Sequence, residues 1–209
     1  MNVSVLVATY GEPSWIDMAE TRALPSAQNQ GAFEVLYAHQ TDGTISSSRN
    51  ALAEQASGTH LIYVDADDEI SPGYLDAMRE AHRNHPDANA LFTPAVQQIR
   101  KGRPGAPIFF DRGISLRQDN WLVVGTLVSR ELFMEVGGFC DYPHGFEDFS
   151  LWSKCFRAGA DIVKVKDAVY RYWVNPQSKH KQGWRDRKWQ VETHQRVVRE
   201  LDEWEALRA

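Results

Sequence analysis

A chain of 209 residues is long enough for one domain with a substantial core, and its 43% hydrophobic and 24% charged residues are ordinary for a soluble globular protein. A net charge of −5 argues against a nucleic-acid binder, and no apolar run approaches the roughly 18 residues of a membrane span. Only Cys140 and Cys155 are present, with neither metal-knuckle spacing nor a disulfide framework, so reduced thiols and a cytoplasmic setting are expected.

Val3 to Ala8 is a near-continuous apolar run, the mark of a strand buried on both faces. No basic stretch precedes it, so it reads as a core strand rather than a signal peptide. Thr9, Tyr10, Gly11 and Glu12 form the loop at its carboxyl end, where open α/β sheets bind ligands. Pro13 suits the first position of a helix that should fade near Ala23, because Pro25 disfavours helix in the residue before it. Phe33 to Ala38 reads as a second strand, followed by the polar loop His39 to Thr44, which contains Asp42. Ser46, Ser47 and Ser48 offer caps for a helix through Arg49, Asn50, Leu52 and Ala56, with Gly58 as its C′ residue. Arg49 in the first turn opposes the helix dipole. Either it is an exposed arginine, or it contacts phosphate or a nearby acidic loop.

Leu61 to Val64 is a short apolar strand that stops where acids begin. Asp65, Asp67, Asp68 and Glu69 place four carboxylates in five residues. At about 4 Å each close pair repels by roughly 1 kcal/mol in water, and by about 4 at an effective dielectric of 20. Acids splayed into solvent avoid that cost; acids held at a strand end call for a cation. Oxygen ligands without Cys or His suit Mg²⁺ or Mn²⁺ rather than Zn²⁺, and the spacing is not that of an EF-hand.

Ser71 and Pro72 start a helix carrying Tyr74, Leu75, Met78 and His82, ended by His85 and Pro86. His82 and His85 read as surface or helix-end residues. Ala90 to Val96 is a strand in which Pro94 marks an edge or a bulge. Lys101 to Pro107 is a breaker-rich loop. Trp121 to Val128 returns to strand, Ser129 caps a short helix, and Gly137 and Gly138 stop it. Phe146, Glu147 and Asp148 open a helix through Leu151, Trp152, Cys155 and Phe156, ended by Gly159. The two acids either suit the helix dipole or carry chemistry. Ile162 to Val165 and Val169 to Tyr172 close the sheet region. From Asn175 the composition shifts to basic residues and Trp. Val191, His194, Val198, Leu201 and Trp204 then recur at helical steps. This amphipathic helix packs on the domain, pairs with another copy in a homo-oligomer, or touches an acidic membrane surface, the last being weakest given its mixed charge.

Three stretches in this order resemble inverting glycosyltransferases of family 2: Val3 to Tyr10; Ser48-Arg49-Asn50-Ala51 with Ala56 to Pro72; and Gly137-Gly138-Phe139 with Gly145-Phe146-Glu147-Asp148. The resemblance runs from Met1 to about Ser178. It implies a GT-A fold, an α/β three-layer domain with a mostly parallel sheet over residues 1–178, followed by a helical tail over 179–209. It also implies sugar transfer, with inversion, from a nucleoside diphosphate donor to an acceptor hydroxyl. A UDP-sugar is favoured over GDP- and dTDP-sugars. By this resemblance Asp67, helped by Asp65, holds Mn²⁺ or Mg²⁺; Thr9, Tyr10, Glu12, Asp42, Arg49, Asp65 and Ala66 hold the donor. Asp148 takes the acceptor proton, kept ionised by its place at a helix start, and Glu147 holds the acceptor. Trp121 is placed to stack on a sugar. His180, between Lys179 and Lys181, is placed to reach the metal from a tail that closes over the diphosphate. The loop after the second strand departs from the family's acidic pattern, leaving Asp42 as the substitute. Two rivals are a nucleotidyltransferase, which should carry a Gly-rich basic loop after the first strand, and a binding module with a decayed site, which should have lost Asp67 or Asp148. Thr9 to Trp15 has no such loop, and both acids are present.

Overall fold

The first apolar run becomes β1 (Val3–Tyr10), with seven of its eight residues buried, which is why it shows no polar alternation. It runs parallel to both neighbours, β2 (Glu34–Gln40) and β3 (His60–Tyr63). The molecule is described here from a computed structural model over residues 1–86, 89–142, 145–174 and 187–208. After β3 come β4 (Glu69–Ile70), β5 (Leu91–Arg100), β6 (Arg103–Pro104), β7 (Val128–Ser129) and β8 (Ile162–Trp173). They make two four-stranded sheets, ordered β2-β1-β3-β7 and β4-β8-β5-β6. Phe92 and Leu127 exchange backbone hydrogen bonds of 3.1 and 2.9 Å, an antiparallel bridge joining the sheets beside β7.

The helices are α1 (Ser14–Met18), α2 (Leu24–Gln28), α3 (Ile45–Gln55), α4 (Tyr74–Asn84), α5 (Arg130–Glu135), α6 (Glu147–Arg157) and α7 (Arg187–Ala206). Packing α3 on β1 and β2, and α4 on β8, lets one apolar core run through both sheets. Its largest buried side chains include Trp152, Tyr63, Tyr74, Tyr170 and Phe92. A smaller cluster of Phe149, Val197 and Leu201 docks α7 on α6. Of the three roles open to the terminal helix, packing on the domain is the one visible in the structure. The 178/179 boundary lies outside the described residues. Among the described residues, no helix is long and apolar enough to cross a membrane, and both cysteines are free.

Several local expectations need correction. The first helix does not fade before Pro25. A π-helical turn, Ala19–Ala23, widens the spiral, and Pro25 takes the N-terminal position of α2, where its missing N–H costs little. The cap of α3 is Thr44, which accepts from the Ser47 N–H at 3.1 Å in a reciprocal capping box; the serines lie inside the helix. Gly58 is not its C′ residue. A Cβ there would lie 2.4 Å from Ser4 Oγ, so the glycine serves a close approach to β1. Residues 121–126 are not a strand but a loop, in which Thr126 N–H turns back to the Val123 carbonyl at 2.9 Å, and pairing begins only at Leu127. Two expected strands after Asp161 are one, β8, in which residues 166–168 bulge out opposite the Pro94–Ala95 step of β5.

Candidate active site

Parallel β1, β2 and β3 end on one edge, and the loops beyond them hold most of the residues that the sequence singled out. Gly11 N–H donates to the Gln40 carbonyl at 2.8 Å and ties the loops after β1 and β2 together. Glu12 and Asp42 are exposed in these two loops, and Tyr10 is partly buried at the end of β1. Thr9 is buried instead, its hydroxyl 3.0 Å from His39 Nδ1 and 3.3 Å from the Tyr37 hydroxyl, so it fastens β1 to β2.

The acids after β3 separate by environment. Asp65 pairs with Arg49 Nη2 at 2.6 Å, and its backbone N–H donates to the Tyr170 hydroxyl at 3.1 Å. Asp68 is buried and accepts the Trp173 N–H at 2.8 Å. Burial, then the Asp67 and Asp65 carboxylates, push Asp68 well above the usual carboxylate range. Glu69 lies 3.7 Å from Arg171. Asp67 is partly exposed, its backbone carbonyl accepts from Arg22 Nη1 at 3.1 Å, and Ala66 is buried between Asp65 and Asp67. The mutual repulsion of the four acids is therefore relieved by two arginines and by burial of Asp68 in a form that favours its proton.

Arg49 is 4% exposed, which removes the reading of an exposed arginine. Its second nitrogen, Nη1, reaches Glu147 Oε1 at 3.1 Å, and its guanidinium lies 4.9 Å from the Phe139 ring. Burial disfavours its charge, but Asp65 and Glu147 outweigh that and hold it above its ordinary value. The neighbouring Asn50 side chain holds Phe139 through both its backbone N–H and carbonyl, at 3.0 and 2.9 Å. One buried cation thus joins the Asp-x-Asp stretch to the start of α6, although 98 residues separate Arg49 from Glu147.

Asp148 sits beside this junction. Its Oδ1 accepts the Phe149 N–H at 2.7 Å, and its Oδ2 accepts Asn120 Nδ2 at 3.0 Å. Its position at a helix start does not keep it fully ionised at neutral pH. Burial first, and Glu147 second, push its carboxyl up to about 7, against the opposing pull of the Phe149 N–H and Arg49. Phe146, just before α6, has φ of 74°, an uncommon conformation for a residue with a Cβ. Its ring lies 6.2 and 6.1 Å from the Trp189 and His194 rings of α7.

Trp121 is half-buried, with the Lys164 ammonium 5.4 Å from its ring, and it follows Asn120, which meets Asp148. Lys179, His180 and Lys181 lie outside the described residues. Sequence reasoning missed Asn120, Arg22 and Tyr170, because a single Asn in a loop, an Arg on a helix and a Tyr in an apolar strand carry no local signal.

Asp65 and Asp67 fit a divalent ion. Their donors are hard carboxylate oxygens, and Asp68 is turned away into the interior. Among the described residues no group of three His, Cys, Asp or Glu converges into an all-protein cage. Mg²⁺-type sites are commonly completed in this way, by one or two carboxylates with water and substrate phosphates.

Comparison with solved structures gives the same fold. The crystal structure of S. aureus TarS matches with a TM-score of 0.65 at 21% identity, over 85% of this chain and 38% of that one. The 1–349 form of S. aureus TarS in complex with UDP matches with 0.67 at 19% identity, over 95% and 64%. Its complex with UDP-GlcNAc matches with 0.65 at 17% identity, over 86% and 60%. The chain therefore spans less than two thirds of the length of each of these structures. The family model for glycosyl transferase family 2 matches residues 21–146, more than half of the chain and inclusive of both Asp-x-Asp and Phe146. With the GT-A fold and this match, the chain belongs to glycosyl transferase family 2.

Proposed function

We propose that the chain is a glycosyltransferase that moves a sugar from a UDP-sugar to an acceptor hydroxyl with inversion, using a divalent cation. The observation that carries this reading is the Asp65–Arg49–Glu147 chain of ion pairs, which joins the first acid of Asp-x-Asp to the neighbour of Asp148 through one buried guanidinium. The UDP and UDP-GlcNAc complexes of the structural relatives favour the uridine nucleotide.

In this reading Tyr10, Glu12 and Asp42 lie at the strand ends where a nucleotide would rest, and Thr9 shapes that edge by tying β1 to β2. Asp67, helped by Asp65, would hold Mg²⁺ or Mn²⁺, which when bound offsets negative charge on a departing diphosphate. Arg49 holds Asp65 and Glu147 in fixed positions. Glu147 orients the acceptor, and Asp148 takes its proton as the hydroxyl oxygen bonds to the anomeric carbon and the bond to the diphosphate breaks. A base near 7 is matched to that task at neutral pH, and such catalysis typically contributes 10²–10⁴-fold.

The test is a thermal-shift screen of UDP-, GDP- and dTDP-sugars with and without Mn²⁺, on wild type and Asp67→Asn. Stabilisation by UDP-sugars that depends on Mn²⁺, and that the variant loses while its unliganded Tm is unchanged, is the expected result. Preference for another nucleotide overturns the donor assignment. An undiminished Mn²⁺-dependent response in Asp67→Asn overturns the metal assignment.

A further inference from the structure

From outside α6, the Asn120 side chain donates a hydrogen bond to Asp148, and its own amide is fully oriented. Its Oδ1 accepts the Leu122 N–H at 3.0 Å, and its Nδ2 donates to the Leu122 carbonyl at 3.1 Å. One Nδ2 hydrogen is committed there, which directs the other to Asp148 Oδ2 at 3.0 Å. Asn120 also closes a braced loop. Ser115 caps a turn by accepting the Arg117 N–H at 3.2 Å and, through its carbonyl, the Gln118 N–H at 2.8 Å. Leu116 is buried in the core. Arg117 makes two 2.5 Å bonds to Glu205 of α7, and Arg157, at the far end of α6, reaches the same Glu205 at 2.8 Å. The loop is thus tied to the last turn of α6 through Glu205 and to its first turn through Asn120.

We infer that Asn120 is a positioning residue for the base, holding the Asp148 carboxyl in one orientation toward the acceptor and favouring its ionised form. This rests on the reading of Asp148 given above. A neutral amide N–H pointed at a carboxylate stabilises the charged form over the protonated one, and its removal raises the pKa. The charged groups that face Asp148 are Glu147 on its own helix, Arg49 from α3 and Asp65 from the loop after β3. Asn120 adds a donor from a fourth element without adding charge, so it restrains the carboxyl without clamping it in an ion pair.

Two variants separate positioning from folding. Asn120→Ala removes the donor. Asn120→Asp keeps an acceptor for the Leu122 N–H but offers Asp148 no amide hydrogen. The Asp148 carboxyl is followed by ¹³C NMR in aspartate-labelled protein, its signal assigned by its loss in Asp148→Asn. UDP release from UDP-GlcNAc with Mn²⁺, water serving as acceptor, is followed against pH. In Asn120→Ala the Asp148 titration and the acid limb of kcat should both move up by about one unit, and by more in Asn120→Asp, with KM for UDP-GlcNAc nearly unchanged. Hydrolysis should recover toward wild type above pH 8. An Asp148 titration unmoved in both variants overturns the inference, as does a rate loss that is equal at every pH. Wild-type hydrolysis by Asp148→Asn would instead overturn the assignment of the base, whatever the NMR titration shows.

Discussion

A carboxyl that titrates near 7 inside a protein has opposite effects on stability and on chemistry. Unfolded, Asp148 has the ordinary value of 3.8; folded, burial and Glu147 raise it to about 7. The folded state holds the proton more tightly, so stability falls as pH rises from about 4 to about 7, and the whole penalty is present above 7. Asp148→Asn removes the titration. Its Tm should exceed wild type by a few degrees at pH 8 and match it near pH 4, as read by calorimetry at both pH values. A Tm at pH 8 at or below that of wild type contradicts the raised carboxyl. Catalysis runs the other way, because the base form grows in as pH rises through about 7. Arg49 illustrates the same tension, since its buried charge is held by Asp65 and Glu147 together, and removing both would leave it uncompensated.

At the scale of elements, the loop that replaces the expected strand before β7 packs closely on two tyrosines. A Cβ on Gly125 would lie 2.4 Å from the Tyr170 ring and 2.8 Å from the Tyr74 hydroxyl, which itself donates to the Gly125 carbonyl at 2.6 Å. Tyr170 also receives the Asp65 N–H, so this contact supports the Asp-x-Asp loop from beneath. Gly125→Ala should lower stability by about 1–3 kcal/mol, as overpacked cores do. Urea denaturation measures this, and an unchanged midpoint would show that the rings have room to move. The bulge of β8 at residues 166–168 lies opposite Pro94, which gives the ladder no N–H, and pairing resumes at Ala95 with Val169.

Across the whole molecule, cohesion is uneven. One core runs through both sheets, whereas α7 is held by the small cluster of Phe149, Val197 and Leu201, by Trp204 against the edge of the main core, and by ion pairs of Arg117 and the buried Arg157. So small an apolar contact leaves α7 with far less burial than the central strands, so α7 should open before the sheets unfold. Amide exchange followed by mass spectrometry should find α7 exchanging at least tenfold faster than β1 and β3. Equal protection would make α7 part of the global unfolding unit.

The sequence by itself determined the strands β1, β2 and β3, the helices α4 and α6, the acids at the end of β3 and the Glu147–Asp148 pair. Each rests on local physics: an apolar run for buried strands, helical spacing for the faces that pack, and carboxylates crowded beyond what solvent-free geometry tolerates. The same locality explains the failures. Gly125 in the loop before Leu127 lies against Tyr74 and Tyr170, far apart in the chain, and the role of Gly58 depended on Ser4 across the sheet. Only the tertiary structure decided that Arg49 would be buried between Asp65 and Glu147, that Asn120 would meet Asp148, and that Asp148 would titrate near 7. Desolvation and charge–charge energies depend on distances between residues far apart in the chain, and no stretch of sequence contains them.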